Sequence, residues 1–165
     1  MRIRAATRAD VPLIADLIRE LAAYEKLAHE AVADEETLQA TLFGAHPGAE
    51  VAIAEADGAT AGFALFFPNF STFLGRPGIY LEDLFVREAF RGRGVGRELL
   101  VHLTGLAIER GCGRLEWAVL DWNEVAIGFY EKLGATPMCE WTTYRLSGDA
   151  LTRLAERRGG HDPSA

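Results

Sequence analysis

The sequence predicts an α/β protein in which one mixed β-sheet carries helices on its faces. Segments with alternating apolar residues and segments with helical spacing follow one another in the order β-α-α-β-β-β-α-β-α-β. The chain has 165 residues, of which 49% are hydrophobic and 25% are charged. That length suits one domain with a buried core, and the composition is typical of a globular protein.

The first third of the chain is predicted to form a strand and two helices. Residues 1–7 alternate in polarity and favour a strand. Thr7 can cap a helix because Asp10, three residues later, can return a hydrogen bond as in a capping box. The apolar residues of 11–21 then recur at helical spacing, and residues 34–43 favour a second, short helix.

The middle of the chain is predicted to form three strands. Two apolar runs within residues 50–67 flank Asp57 and Gly58, a pair typical of a tight hairpin turn. A third, long strand is expected over residues 78–86. We therefore expect an antiparallel centre to the sheet.

Two helices and two strands are predicted after that point. Residues 95–110 have one apolar helical face, which Gly111 should end. Residues 114–122 favour a strand. Asn123 can cap the next helix, and Gly134 should close it.

The C-terminal part is predicted to close the sheet. Residues 138–146 favour a last strand. We expect a single domain over residues 1–157 and a disordered tail over residues 158–165, which contain two glycines and a proline.

The charge balance restricts the partners that the protein can have. The formal net charge is −7 and the isoelectric point is about 5.1. An acidic surface repels nucleic acid and anionic membranes, and it attracts small cations. No apolar run reaches the length of a bilayer span, and the first residues lack a signal-peptide pattern, so a cytoplasmic protein is expected.

The cysteines and histidines show no metal-binding pattern. Cys112 and Cys139 are the only cysteines, and neither belongs to a CxxC motif. We expect both to be buried free thiols. The four histidines also lie at no metal-ligand spacing, so no metal is expected.

A glycine-rich segment between a strand and a helix is the clearest functional signal. In "RGRGVG" at 91–96 three glycines occupy alternate positions, and arginines surround them. A helix N-terminus presents unpaired N–H groups, so this turn can bind a phosphate or pyrophosphate closely. It lacks the lysine of a Walker loop and the spacing of a Rossmann loop. An arginine–glycine nucleic-acid segment would be repeated, and a merely flexible loop remains the simplest alternative.

Together with three other segments, this motif resembles the GCN5-related N-acetyltransferases (GNAT). The motif is similar to the family's pyrophosphate-binding Arg/Gln-x-x-Gly-x-Gly/Ala sequence. "ELAAYEKL" at 20–27, "YLEDLFV" at 80–86 and "DWNEVAIGFYEKLGA" at 121–135 resemble the diamine (spermidine/spermine) acetyltransferase branch. The resemblance implies the GNAT fold, with a mixed, mostly antiparallel twisted sheet of about six to seven strands and helices on both faces. It also implies acetyl-CoA as co-substrate and a homodimer.

Two residues are expected to perform the chemistry. A primary amine is almost wholly protonated at neutral pH, so acetyl transfer to it needs a base. Glu82 and Asp83 are adjacent acids in an apolar strand, where acids are rare, and they should point to opposite faces unless a bulge intervenes. The resemblance implies that Glu82 is the base. It also implies that Tyr130, which shares a helical face with Asn123, is the acid that protonates the thiolate.

The resemblance extends to residues that contact the two substrates. The strand at 84–86 should pair its backbone with the pantetheine arm and supply oxyanion donors, and the glycine turn should hold the pyrophosphate. The residues expected to bind acetyl-CoA are Leu84, Phe85, Val86, Arg91, Gly92, Arg93, Gly94, Val95, Gly96, Arg97, Asn123, Glu124, Ala126 and Tyr130. The residues expected to bind the cationic amine are Tyr24, Glu25, Glu82, Asp83 and Glu116.

The sequence departs from the branch in two places. Val125 and Ala126 replace the usual Pro-Ser, which keeps the helix start but loses a hydroxyl. The segment at 139–146 is shorter than its counterpart, and Glu140 or Trp141 can replace its substrate contacts. We expect a small diamine, polyamine or lysine-like amino acid as substrate. A peptide or protein amine, or an idle acyl-CoA-binding module, remains the alternative.

Overall fold

The computed structural model describes residues 1–157. The predicted disordered tail at 158–165 lies outside the described residues. The chain divides into two compact units, residues 1–118 and the residues from 119 on. The single domain predicted over 1–157 stays a prediction.

The first unit is built on one five-stranded sheet in the order β1-β2-β3-β4-β5. The first four strands pair antiparallel in sequence order, and β5 pairs parallel with β4. The strands are β1 (Arg2–Ala5), β2 (Glu50–Ala56), β3 (Ala59–Ser71), β4 (Arg76–Val86) and β5 (Leu115–Trp117). The helices are α1 (Val11–Tyr24), α2 (Glu35–Phe43) and α3 (Val95–Glu109), with α4 (Glu124–Lys132) and α5 (Gly148–Glu156) in the second unit.

The start of α1 confirms the capping prediction. The Asp10 carboxylate accepts hydrogen bonds from the Thr7 backbone N–H at 2.7 Å and from its hydroxyl at 2.8 Å. A short 3-10 turn over Arg8–Asp10 separates this cap from α1. The Asp10 carboxylate also accepts hydrogen bonds from both terminal nitrogens of Arg4. These bonds hold the pKa of that carboxyl well below its usual range. The cap therefore joins β1 to the helix.

The β2–β3 connection is the tight hairpin that the sequence predicts. Asp57 has φ 54° and Gly58 has φ 77°. Two consecutive residues with positive φ define the type I′ turn, whose twist matches that of the flanking strands.

Helices cover both faces of the sheet, as predicted. One face packs against α1 and α2 through fully buried side chains such as Ile14, Leu17 and Phe63. Burying a side chain of this kind contributes about 1.5–3 kcal/mol. The residues of β2 whose side chains point to the other face are buried as well. The helix α3 contributes Leu99 and Leu103 to the core. The sheet therefore has a hydrophobic layer on each side.

The prediction of a last strand over 138–146 is wrong. The Trp141 N–H donates to the Met138 carbonyl at 3.2 Å and closes a turn, and no strand follows it in the described chain. The large apolar residues Met138, Trp141 and Tyr144 recur every three residues, a spacing that does not place them on one strand face. The sheet of residues 1–157 consequently has five strands rather than six to seven, and α5 is an element that the sequence reading missed.

Two smaller expectations are also corrected. The strand predicted over 114–122 is limited to β5, because β4 bulges directly after the three residues that pair with it. Cys112 and Cys139 are free, as expected, but Cys112 is only half-buried and Cys139 is exposed in the turn after residue 138.

Candidate active site

A β-bulge lies at the centre of the candidate site. In the β3–β4 ladder Leu65 lies opposite Asp83, and Phe66 lies opposite Leu81. Glu82 is therefore an extra residue with no partner across the ladder. The sequence places two adjacent acids on opposite faces unless a bulge intervenes, and the structure shows that bulge. The Glu82 side chain is exposed, and the Asp83 side chain is half-buried.

The bulge leaves the carboxyl-terminal half of β4 open along one edge. The β5 ladder ends at the Leu81–Trp117 pair, and no strand of the described chain pairs with this edge of β4 beyond Leu81. On the other edge, the Arg87 N–H donates to the Ala61 carbonyl at 2.9 Å.

The register shows which backbone groups face the open edge. Antiparallel strands form hydrogen bonds through alternate residues. The backbone N–H and C=O groups of Asp83 and Phe85 therefore point toward β3, as the N–H of Arg87 does. The N–H and C=O groups of Leu84 and Val86 therefore point away from β3. Such an edge can pair with an extended amide-containing chain.

The glycine turn follows this open edge and begins α3. Gly92 has φ 72° and Gly94 has φ 82°, a region in which other residues are strained. Gly94 is the N-cap of α3, and its carbonyl accepts the first helical bond from the Glu98 N–H at 3.0 Å. The N–H groups before Glu98 have no intrahelical acceptor, so the turn presents donors to an anion. Val95 itself is buried, which anchors the helix start in the core.

The three arginines of the turn have different surroundings. Arg93 pairs with Asp57 in the β2–β3 turn and lies over the Phe90 ring at 5.3 Å. The guanidinium of Arg91 lies 4.5 Å from the centre of the Tyr24 ring. Arg97 is exposed on the first turn of α3. The turn is therefore basic, but its arginines are not equivalent.

Three carboxylates that the sequence predicts together do come together. Burial, with the negative charges of Glu82 and Glu25 added, raises the pKa of Asp83 to about 6. Burial likewise raises the pKa of Glu25, the residue that ends α1. The fold thus brings residues 58 positions apart into one electrostatic cluster. A cation that entered this cluster would relieve the repulsion between its members.

Glu116 has a different set of neighbours. Its carboxylate accepts a hydrogen bond from the Asn69 side-chain amide at 2.9 Å and pairs with the Arg114 guanidinium at 2.8 Å. It lies on β5 opposite Tyr80. The charge of Glu116 is therefore balanced by an arginine, in contrast to the charges around Asp83.

In the second unit, the predicted cap of α4 is confirmed. The Asn123 side-chain oxygen accepts a hydrogen bond from the Ala126 N–H at 3.2 Å. The helix begins normally despite Val125 and Ala126 in place of Pro-Ser, while Glu124 is exposed in the first turn. Tyr130 is half-buried beside Phe129, with 5.3 Å between ring centres.

A model of the acetyltransferase (GNAT) family matches residues 15–135. The chain belongs to that family. The match covers both the acidic strand and the glycine turn, so the resemblance inferred from the four segments is confirmed. GNAT acetyltransferases use acetyl-CoA as co-substrate, and the open edge followed by a turn of free N–H groups fits an extended, diphosphate-bearing molecule.

Similar proteins act on small amines. The chain is 37% identical to an L-ornithine N5-acetyltransferase of Arabidopsis thaliana, over 93% of this chain and 87% of the relative. It is 38% identical to a thialysine N-epsilon-acetyltransferase of Mus musculus, over 94% of this chain and 98% of the relative. Among solved structures, an integron cassette protein of V. cholerae superposes with a TM-score of 0.80 at 30% identity, covering 94% of this chain and 97% of that chain.

The described residues contain neither a membrane-spanning helix nor a group of side chains that could hold a metal ion. No helix within residues 1–157 is long and apolar enough to cross a bilayer. In the same range no three histidine, cysteine or acidic side chains are grouped so that they could hold a metal ion.

Two contacts that hold the site are not predicted by any sequence pattern. The Arg87 guanidinium pairs with Glu20 of α1 at 2.6 Å, and the Asp57–Arg93 pair ties the hairpin turn to the glycine turn. Their separation along the chain hides such pairs from any local pattern. The only local signal is an arginine directly after an apolar strand.

Proposed function

We propose that this N-acetyltransferase transfers the acetyl group of acetyl-CoA to a primary amine of a small substrate that carries a second positive charge. The candidates are a basic amino acid of the ornithine or thialysine type and a diamine or polyamine. The observation that carries the proposal is the cluster of Glu25, Glu82 and Asp83, in which burial and mutual repulsion raise the pKa of Asp83 to about 6. Such a cluster favours a dication and disfavours an acidic or phosphorylated substrate.

In the proposed reaction, Glu82 acts as the base. The substrate ammonium must lose a proton before its nitrogen can attack, and Glu82 accepts this proton directly or through a water molecule. The exposed side chain of Glu82 at the bulge lies on the same strand as the open edge. Asp83 and Glu25, with Tyr24 beside them, hold the second cationic group of the substrate.

Backbone groups of β4 bind the thioester and its arm. The Leu84 carbonyl and the Val86 N–H pair with the pantetheine amides along the open edge, and the outward N–H of Leu84 donates to the oxyanion that forms when nitrogen attacks the thioester carbon. The glycine turn holds the diphosphate through its N–H groups, with charge supplied by Arg93 and Arg97. The assignments to β4 follow from the direction of its backbone and need no particular side chain there.

Tyr130 acts as the acid in this proposal. When the tetrahedral intermediate collapses, the carbon–sulfur bond breaks and the thiolate takes the phenolic proton. A phenol has a pKa of about 10 and is protonated at neutral pH, so it can donate. The capped helix α4 carries Asn123 and Ala126, which we assign to the pantetheine arm.

An amine panel tests the proposal. Purified protein with saturating acetyl-CoA is given ornithine, thialysine, lysine, putrescine, spermidine, spermine and a peptide with a free N-terminus, and CoA release is followed. We expect turnover with the dicationic small molecules and little with the peptide. Turnover with the peptide alone would support a protein acetyltransferase instead. Acetyl-CoA binding without turnover of any amine would support an idle binding module.

We also propose that the protein is a cytoplasmic homodimer. Phe70, Phe73 and Leu74 at the tip of the β3–β4 hairpin are large apolar residues exposed to solvent, Phe73 by 93%. Apolar groups of this kind are often covered by a partner. Sedimentation would detect the dimer, and a monomer at high protein concentration would contradict it.

A further inference from the structure

Two arginines that follow β4 both reach the C-terminal half of α1. Arg87 binds Glu20 with two hydrogen bonds of 2.6 and 2.9 Å. One helical turn further along α1, the guanidinium of Arg91 lies over the ring of Tyr24. The end of α1 is therefore attached to the end of β4 at two points.

The Arg91 guanidinium lies against two aromatic rings. It lies 4.5 Å from the centre of the Tyr24 ring and 6.0 Å from that of Phe85. Its Nε donates to the outward carbonyl of Val86 at 3.0 Å. These three contacts engage both the flat face and the Nε edge of the guanidinium, which the ammonium of a lysine could not do as fully.

Fixing Tyr24 also fixes the residue after it. Tyr24 is the last residue of α1, and Glu25 is its C-cap. The Glu25 N–H donates to the Leu21 carbonyl at 2.9 Å, so Glu25 keeps the helical register of its neighbour. The Glu25 carboxylate is close enough to Asp83 for its charge to act there. A displacement of Tyr24 would therefore displace part of the acidic cluster.

We propose that Arg91 is a positioning residue for the amine site rather than a ligand of the diphosphate. It holds Tyr24 and Glu25 against the acids of β4. Because Arg91 is also the first residue of the glycine turn, it joins the turn that binds acetyl-CoA to the helix end that binds the amine. This inference rests on the proposed function for its kinetic consequence, but its structural consequence can be measured without turnover.

Steady-state kinetics of Arg91→Met and Arg97→Met test the proposal. For Arg91→Met we expect the KM of the amine to rise about 3- to 10-fold, the range of one partly exposed cation–π contact, with little change in the KM of acetyl-CoA. Arg97 is the matched arginine of the same turn. For Arg97→Met the KM of acetyl-CoA should rise and the KM of the amine should change little. Arg91→Lys should restore part of the amine affinity, because its ammonium can still contact the ring.

Variants of Tyr24, whose ring Arg91 contacts, provide a second test of the proposal. Tyr24→Phe keeps a ring under the guanidinium and should raise the KM of the amine less than Tyr24→Leu does. Tyr24→Leu removes the ring and should match Arg91→Met, and the double variant should be no worse than either single one. A rise in the KM of acetyl-CoA alone for Arg91→Met, or an equal rise in both constants, overturns the proposal.

Hydrogen exchange separates failure of this inference from failure of the proposed function. In wild type the Leu27 N–H donates to the Ala22 carbonyl at 2.8 Å at the end of α1. Arg91→Met should speed exchange of the amides of residues 24–27, and Arg97→Met should not. Unchanged exchange in both variants overturns the positioning role even if no amine is acetylated.

Discussion

The two units of the protein differ in how firmly their elements are held. In the first unit α1 buries five residues, among them Ile14 and Leu17, against a sheet that is covered on both faces. In the second unit neither α4 nor α5 has a buried residue among those described. The bulge, the open edge and the glycine turn all belong to the first unit. Most of the proposed site therefore lies on elements that pack into a buried core.

The difference separates the proposed chemistry into two parts. The base, the oxyanion donor and the acidic cluster belong to elements fixed by core packing, whereas the acid Tyr130 belongs to α4, a helix of nine residues with no buried residue. Variants of buried residues in the first unit should lower stability. Variants in the second unit should affect the reaction with little effect on stability.

The largest expected effect follows removal of the base. Glu82→Gln should lower kcat by roughly 10²- to 10⁴-fold, the usual contribution of a general base, because glutamine cannot accept the proton. Since Glu82 is exposed and has no ladder partner, the melting temperature should change little. Rates measured by CoA release, with circular dichroism as control, check this. A variant with wild-type kcat would exclude Glu82 as the base.

A matched pair of leucines compares the stability of the two units. Leu17→Ala should lower the free energy of unfolding by about 2–5 kcal/mol, because Leu17 is fully buried. Leu154→Ala on α5 should cost no more than about 0.5 kcal/mol, because Leu154 is 52% exposed. Urea unfolding measures both. Similar losses for the two variants would show that α5 is packed as firmly as α1.

Removal of the acid should affect turnover alone. Tyr130→Phe keeps the ring beside Phe129 and removes the proton donor, so kcat should fall by roughly 10²-fold while the Kd of acetyl-CoA is retained. The rate of CoA release gives kcat, and isothermal titration calorimetry gives the Kd of acetyl-CoA. An unchanged rate would remove the acid role from Tyr130.

A matched pair of glycines tests the anion-binding turn. Gly94→Ala forces a side chain onto a residue with φ 82°, which should cost about 1 kcal/mol and weaken acetyl-CoA binding several-fold. Gly128→Ala, in the interior of α4 with open space around the position, should raise helix stability by about 0.5–1 kcal/mol. Thermal unfolding and acetyl-CoA titration measure both. The comparison fails if Gly94→Ala binds acetyl-CoA as wild type does.

The last two predictions concern Asp83. Its pKa of about 6 means that the carboxyl gains its charge between pH 5 and pH 7, so the KM of a dicationic amine should fall over that range by up to about tenfold. Asp83→Asn should remove most of this dependence. A KM profile that is the same in both proteins would exclude Asp83 from amine binding.

Asp83 should also affect stability, with a sign that follows from the direction of its shift. The pKa in the folded state lies above the ordinary value of 3.8, so the folded state binds the proton more tightly than the unfolded state. The contribution of this carboxyl favours folding in acid and is lost as the pH rises through about 6. Asp83→Asn should therefore be more stable than wild type at pH 7, by about 1 kcal/mol. Urea unfolding at pH 5 and pH 7 measures this difference.

Most of the first unit could be predicted because its signals are local. The cap at Thr7, the turn at Asp57 and the glycine that ends α3 each depend on residues within one turn of one another. The helical spacing of α1 indicates directly which of its side chains are buried. The candidate base and the glycine turn could be identified for the same reason, since each is a short motif in a fixed local context.

The errors lie where local signals are weak. The segment at 138–146 has apolar residues at mixed spacing, and a strand needs a partner that no local pattern can supply. The helix α5 could have been found, because Ser147 stands at its start and Leu151 and Leu154 share a face, but the residues before it suggested a strand. The length of β5 was overestimated because the bulge that ends its pairing lies in another strand.

The sequence by itself determined the family, the helix caps, the hairpin turn and the identity of the acidic and glycine-rich motifs, because each depends on neighbours along the chain. Only the tertiary structure decided that Glu82 is the bulged residue, that the charge of Glu25 acts on Asp83, and that the Arg91 guanidinium lies over Tyr24. Those outcomes depend on the register between strands and on the docking of α1 against β4. Such contacts join residues tens of positions apart, and they are fixed by packing of the whole core rather than by any short segment.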